Sequence, residues 1–498
     1  MVKYGVIQEF KQNPFAQYSA EEDLEHLKSI YFEPRYYREL RDNARNGSSR
    51  ILVGQRGLGK SATIHFLFED LINKSTMPLL ITRYDGIPLQ ENENYFLYKI
   101  LQVLVNGITK QLFENSKKRK KINDSQRKQL AYFIELFYDP QFAQEYYEKA
   151  REIRKKKRWY NILSWYNKSL KFINIILDGV SRFGSDIVRR SIGLDSQEIQ
   201  DAVREYFKGA KLPEIKSAPM EIVAKWDKDR LKQMLDCMLE IANQIGFDSV
   251  VILFDKIDEF KDVNSDVDKV ANFAKDILQD TELLYTKKLS IVFSLWSEVK
   301  KTLNRQNVRF DKFKDINIEW KTDDLERLID KRLLYYSVNK SNPVTLSSLI
   351  PNESDRQLVL KLADSSPRSL IRLLAELYYH ETGEDIVSFS PTAISKGLLD
   401  FCLKFDYCSL QTENTKRKAD YFSWLQKVLQ IRREHFTYSD VCNAFNIKES
   451  TACKYVNDMI RLNLVKEDIM PDINGDKIFT VVDPRLVFLI SRGVLELK

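Results

Sequence analysis

Ile51-Leu52-Val53-Gly54-Gln55-Arg56-Gly57-Leu58-Gly59-Lys60-Ser61-Ala62-Thr63-Ile64-His65-Phe66-Leu67-Phe68 runs from an apolar triplet through a glycine-rich loop into a mostly apolar helical pattern. Gly54 to Ser61 matches G-x-x-x-x-G-K-[ST] in the strand–loop–helix setting that this motif requires. The residue types follow from the chemistry. Glycines let backbone N–H groups curl around phosphate oxygens that a side chain would obstruct. The following helix adds the positive end of its dipole. Lys60 is expected to reach the β- and γ-phosphates, and Ser61 to ligate Mg²⁺. Gly54, Gln55, Arg56, Gly57, Leu58, Gly59, Lys60, Ser61 and Ala62 are therefore candidate nucleotide-binding residues.

Such a loop needs a metal-side acid at the end of another buried strand. Asp248-Ser249-Val250-Val251-Ile252-Leu253-Phe254-Asp255 supplies five apolar residues and then Asp255, placed to hold Mg²⁺. The next residue, Lys256, stands where many hydrolysing ring ATPases carry a water-polarising Glu. A protonated lysine cannot be that base. Asp258 and Glu259 are the remaining local acids. Two readings follow: one of them orients the water, or ATP is bound without fast turnover.

The pattern D-x-h-D-E after an apolar strand resembles the second motif of STAND-type signalling ATPases, including the NACHT branch. The wider layout resembles AAA+ and origin-recognition-like ATPases. That resemblance covers residues 10–110 and 230–400. It implies that Asn13-Pro14-Phe15 packs against adenine. It implies that Ser294 or Ser297, after the strand Leu289-Ser290-Ile291-Val292-Phe293, senses the phosphate. Arg305 or Arg309 would reach the γ-phosphate of a neighbouring subunit, and Arg368 in Ser366-Pro367-Arg368 would face the phosphates from a lid helix.

Strand patterns fall at Ile51–Val53, Leu79–Thr82, Val250–Phe254, Leu289–Ser294 and Ile316–Glu319, with helical patterns between them. The expectation is an α/β fold: a mainly parallel five-stranded sheet with nucleotide at the carboxyl ends of its strands. Residues 1–110 and 231–320 form that core. Residues 321–415 read as a helical lid whose first helix, Asp323 to Tyr336, Asp323 can cap. The stretch between Lys60 and Asp255 is far longer than a compact core needs, so 111–230 reads as a mostly helical insertion.

Residues 416–498 change pattern. Tyr421–Ile431, Tyr438–Phe445 and Glu449–Leu462 read as helices, with His435-Phe436-Thr437 leading into the second and Thr437 as its cap. Leu464-Val465-Lys466 and Ile478–Val482 read as strands around Asn474-Gly475, a hairpin signal. The order resembles a winged-helix domain. If it meets DNA, the third helix would enter the major groove through Lys448, Thr451, Lys454, Asn457 and Arg461.

Bulk composition narrows the classes. The 498 residues are 43% hydrophobic and 30% charged, as expected of a folded soluble chain. No run of 18 or more apolar residues suggests a spanning helix. The polar start, Met1 to Gln12, does not read as a signal peptide, and a cytoplasmic protein is expected. Cys237, Cys402, Cys408, Cys442 and Cys453 form no C-x-x-C pair and are odd in number, so free thiols are expected rather than a zinc or disulfide framework. The four histidines are scattered, which makes a His-based metal site a poor reading.

The formal net charge is +7. It sits in one place: residues 117–171 hold sixteen lysines and arginines against six acids, which leaves the rest slightly acidic. That span is either a solvated face or the first place to look for a polyanion. Three functional readings stand. The first is an ATP-dependent regulatory switch, a homo-oligomer or the partner of a protein that carries the effector activity, in signalling or antiviral defence. The second is a DNA-binding initiator or loader. The third is a non-hydrolysing scaffold.

Overall fold

The computed structural model describes residues 10–72, 75–123, 125, 126, 129, 130, 133, 137, 227–263, 266–312, 314–382, 387–410, 415–470 and 475–497. Five strands form one sheet: β1 (Arg50–Val53), β2 (Thr76–Ile81), β3 (Ser249–Phe254), β4 (Leu289–Leu295) and β5 (Asp315–Asn317). Their order is β2-β3-β4-β1-β5, and every pairing is parallel. Leu52 registers with Ser294 on one side and with Ile316 on the other. β4 therefore lies between β1 and β3, and the loop after β1 shares one sheet edge with Ser294 and Asp255.

Successive strand residues point to opposite faces, and the core divides accordingly. Leu52, Val251, Leu253, Val292 and Ile316 pack with α1 (Leu27–Ile30), α2 (Arg35–Arg45) and α3 (Lys60–Leu71). Ile51, Val53, Val250, Ile252, Phe254, Ile291 and Phe293 pack on the other face. There they meet α4 (Glu93–Glu114), α5 (Lys228–Gln244), α6 (Val267–Gln279) and α7 (Ser297–Arg305). With both faces covered, the strands read as continuous apolar runs rather than alternating ones.

Four longer helices follow: α8 (Thr322–Tyr336), α9 (Glu353–Ala363), α10 (Pro367–His380) and α11 (Pro391–Leu403), with a single-turn helix, Leu346–Leu349, between the first two. Ser366 and Ser390 cap α10 and α11, each with proline at the first helical turn. Asp323 does not cap α8. The cap position is Lys321, without a side-chain bond, and Asp323 lies inside the first turn, where its charge still suits the helix dipole.

The chain ends with α12 (Thr415–Ile431), β6 (His435–Phe436), α13 (Tyr438–Phe445), α14 (Glu449–Arg461), β7 (Val465–Glu467), β8 (Phe479–Val481) and α15 (Pro484–Ser491). Thr437 and Asp440 form a reciprocal capping box at α13. His435 and Phe436 lead into α13 through Thr437, as expected, and are themselves a short strand. They pair with Thr480 and Phe479, giving an antiparallel sheet in the order β6-β8-β7. The apolar residues of α8–α15 join the same core as α1–α3.

Of the expected insertion, 138–226 lies outside the described residues, and so does Asn474 of the hairpin signal. Leu130, Phe133 and Phe137 are buried in the core shared with α4 and α5. In the first basic run, Lys118 is not simply solvated: its ammonium sits 4.0 Å from the Phe247 ring centroid and bonds Gln111. All five cysteines are free. No described helix is long and apolar enough to cross a membrane.

Candidate functional site

Two glycines shape the loop after β1. Gly57 and Gly59 have φ of +82° and +88°, the left-handed region that costs a residue with a Cβ about 1–2 kcal/mol. Gly57 has a second constraint. A Cβ there would lie 2.8 Å from Ser366 Oγ, at the start of α10. Ser366 Oγ and the Arg368 backbone N–H both donate to Gly57 O, each at 3.3 Å. The loop is thus held directly by the four-helix layer. Trp320 adds a bond from its indole N–H to Leu58 O, 2.9 Å.

Lys60 opens α3, and its ammonium donates to Gly54 O and Gln55 O, both at 2.9 Å. Desolvation pushes its pKa down to about 8, although Asp258 and Asp255 pull the other way. Ser61 Oγ donates to Asp255 Oδ1 at 3.1 Å, joining two motifs that lie far apart in sequence. Asp255 is buried, and its second oxygen, Oδ2, has no hydrogen-bond partner; His65 Nε2 is 3.9 Å from it. Burial raises the Asp255 pKa, opposed by the Ser61 bond. An orphaned buried carboxylate oxygen beside a serine hydroxyl is a hard oxygen pair, and it fits Mg²⁺. Tyr84 fixes the backbone here by donating to Asp255 O at 2.7 Å.

These groups line one cavity of about 300 Å³. Arg56, Gly57, Gly59, Lys60, Ser61 and Ala62 form its loop side, and Asp255, Asp258, Glu259 and Ser294 form its strand side. Arg368 lines it from α10. Gly54, Gln55 and Leu58 support the loop without lining the cavity. Arg56 also lies flat on Trp296, 3.9 Å from the ring centroid. Asp258 is buried and Glu259 exposed. Burial raises the Asp258 carboxyl; at Glu259, partial desolvation by the surrounding protein and the neighbouring Asp258 charge do the same.

Other expected residues sit elsewhere. Ser297 begins α7 and is not in the cavity lining, so Ser294 is the serine at the site. Arg305 is exposed at the end of α7, and Arg309 pairs with Asp311 on the surface, Nη2–Oδ2 2.5 Å. Asn13, Pro14 and Phe15 do not line the cavity. Phe15 is fully buried edge-on against Tyr378, and Pro14 O accepts from Arg332 Nε at 2.5 Å. The cavity wall comes instead from the next residues: Tyr18, Ser19, Ala20, Asp23, Leu27 and Tyr31. Nothing in 16–32 carries a motif, so no sequence signal marks this wall.

Arg332 builds that wall. It is buried in α8 and pairs with Asp23, Nη1–Oδ2 2.6 Å, while Nη2 donates to Gln17 O at 2.7 Å. Below it, the Thr63 hydroxyl of α3 bonds Tyr31 and Tyr36 at 2.9 and 3.1 Å. Among the described residues, Glu376, His380 and Asp400 are a cluster whose ligand atoms lie close enough together to hold a metal ion. The Lys404 ammonium lies 2.9 Å from Asp400 and 3.5 Å from Glu376, which makes the cluster an ion-pair network.

No family model and no curated protein matches this chain. Solved structures do. A Walker-type ATPase of Pyrococcus abyssi is 11% identical, over 93% of this chain and 96% of that one, with a TM-score of 0.39. The ORC2 protein of Aeropyrum pernix, in ADPNP–ADP complexes, is 10% identical over 97% and 98%, with a TM-score of 0.39. The A. pernix ORC1 protein in complex with DNA is 9% identical over 94% and 96%, with a TM-score of 0.34. The parallel sheet, covered by helices on both faces, with a glycine-rich loop between β1 and α3, is an α/β architecture.

Proposed function

We propose that this protein is an ATP- and Mg²⁺-binding P-loop ATPase that hydrolyses slowly and acts as a nucleotide-dependent switch. The observation that carries this reading is the bond from Ser61 Oγ to Asp255 Oδ1, beside an orphaned Oδ2, in one cavity with Lys60 and Arg368. In this reading Lys60 and Arg368 hold the phosphates, Ser294 senses them, and Ser61 with Asp255 holds the metal. Bound Mg²⁺ would neutralise phosphate charge. Asp258 or Glu259 orients the attacking water, and desolvation raises both carboxyls from their ordinary values, which makes each a better proton acceptor. Residues 1–110 and 231–320 act as the core, 321–415 as a lid and 416–498 as a winged helix. The surface positions of Arg305 and Arg309 leave them available to a second copy in an assembly. The signalling or antiviral setting, with the effector on another protein, rests on the Asp255–Glu259 pattern alone.

ATP turnover tests this. Wild type is expected to turn over slowly, Lys60→Ala to lose binding, and Glu259→Gln or Asp258→Asn to keep binding while losing turnover. Bound ATP without any turnover in wild type would leave the scaffold reading.

A second reading is favoured by α14, on which Lys454, Asn457 and Arg461 are exposed, with Lys448 exposed at its N-cap, in the same module as the β6-β8-β7 sheet. It is that this module contacts DNA, as an initiator would. Phosphate contacts predict a steep fall of log affinity with log salt. Binding that ignores salt, or none, would argue for a protein partner there.

A further inference from the structure

Lys256 stands immediately after Asp255, and its ammonium is 2.6 Å from Glu21 Oε1. Its backbone is left-handed, φ +60°, a conformation that persists in a side-chain-bearing residue only where the surroundings hold it. Burial alone would raise the Glu21 carboxyl. The hydrogen bond from Lys256 overturns that and leaves it below its ordinary value, while Lys256 is held above its own.

Glu21 lies in the segment that forms the cavity wall but does not itself line the cavity. Ser19, Ala20 and Asp23 on either side of it all line the cavity. The next residue, Glu22, braces the wall internally by accepting from the Tyr18 and Ser19 N–H groups at 3.3 Å. Two ion pairs fasten the wall to the rest of the protein, and they differ in strength. At Asp23, Arg332 is 4% exposed and makes four hydrogen bonds, so breaking it would strand a buried charge. At Glu21, the Lys256 pair is 26% and 39% exposed and consists of one contact, the weak kind that water and salt screen. The wall is permanently tied to α8 and loosely tied to the end of β3.

We infer that Lys256 is a positioning residue: it latches the Tyr18–Asp23 wall through Glu21 and so sets how long a nucleotide stays in the cavity. This rests on the nucleotide reading of the cavity and adds to it. The lysine that removes a general base from the position after Asp255 serves there as the fastener of the site. Opening frees Glu21 while Gln17 and Asp23 stay with Arg332, so the stretch between them loosens with both its ends held.

The test is release of N-methylanthraniloyl-ATP from the full chain, followed by stopped-flow chase with ATP. Release is the readout because a Glu placed at 256 could itself change turnover. Glu21→Gln and Lys256→Met are each expected to speed release by about two- to fivefold, the scale of a half-exposed pair. The charge exchange Glu21→Lys with Lys256→Glu is expected to bring release back to within about twofold of wild type. Rising salt should speed release in wild type and not in the single variants. If Lys256→Met does not fold, the Glu21→Gln arm and the exchange decide. Unchanged release in the single variants, or an exchange no slower than they are, overturns the latch while nucleotide binding stands. A wild type that retains no nucleotide refutes the nucleotide reading itself.

Discussion

Arg485 Nη2 lies 3.2 Å from Asp364 Oδ2, and this contact joins the helix Pro484–Ser491 to the turn that holds the glycine-rich loop. Arg485, in the first turn of α15, is 2% exposed, also pairs with Asp483 at 2.7 Å, and lies over the Phe405 ring. Asp364 and Ser365 both have positive φ, and Ser366, next in the chain, donates to Gly57 O. Sequence-distant α15 therefore helps fix the conformation of the loop.

Arg485→Met is expected to destabilise the protein by about 3–5 kcal/mol, the scale for breaking a buried pair from one side. Asp364→Asn should cost under about 1 kcal/mol, because that carboxylate is half exposed and Asp483 still satisfies Arg485. Denaturant unfolding of both variants measures the difference. Equal losses would mean that the Asp364 arm carries the contact. Nucleotide affinity should fall in Arg485→Met, since the strained turn beneath Gly57 loses its outer support.

Gly57→Ala and Gly59→Ala separate backbone strain from collision. Both must carry a methyl group in the left-handed region, at about 1–2 kcal/mol. Gly59 has open space around a new Cβ, so only that cost is expected. At Gly57 the methyl would meet Ser366 Oγ, so Gly57→Ala should lose more stability and also loosen the hold of α10 on the loop. Thermal unfolding ranks the pair. Equal melting temperatures would show that the Ser366 contact gives way freely.

Lys60 predicts a pH dependence of binding. Its pKa of about 8 means that the free protein carries a charged Lys60 below that pH and loses the charge above it. Phosphate favours the charged form, so nucleotide affinity should hold between pH 6 and 8 and decline steadily above about pH 8. Isothermal titration across that range, with Lys60→Ala as the reference, checks it. A flat profile in wild type would show that Lys60 stays charged throughout.

The parallel sheet and the course of the glycine-rich loop were legible in the sequence because both depend on local pattern. Apolar runs mark strands covered on both faces, and glycine spacing marks a loop that needs positive φ. The Ser61–Asp255 junction was legible too, since two motifs with complementary chemistry imply each other. The cavity wall was not. Asn13–Phe15 and Tyr18–Asp23 are both short polar-aromatic stretches, and only the position of Arg332 in α8 decides which one faces the cavity. Glu21 and Lys256 likewise meet across a separation that no periodicity reports. β6 escaped because a two-residue strand has too little pattern to show, and its pairing with β8 alone defines it.

Asp255 provides the last prediction, and its sign is unusual for an acid. Burial holds its carboxyl above the ordinary range, so the folded protein takes up this proton more readily than the unfolded chain. The contribution of this group to stability is therefore fully present below the ordinary carboxyl value, is lost as pH rises through the raised value, and stays lost above it. Asp255→Asn removes that penalty. Without nucleotide, the variant should be more stable than wild type at neutral pH, and the gap should close in acid. With ATP the order should reverse once Mg²⁺ is added. Wild type gains a further rise in melting temperature from the metal, and Asp255→Asn, whose amide no longer offers a charged oxygen, gains none. Melting curves at two pH values, with ATP and with ATP plus Mg²⁺, read every arm. A variant less stable than wild type without nucleotide would mean that the Ser61 bond outweighs the cost of the buried charge. An undiminished Mg²⁺ response would place the metal on other oxygens.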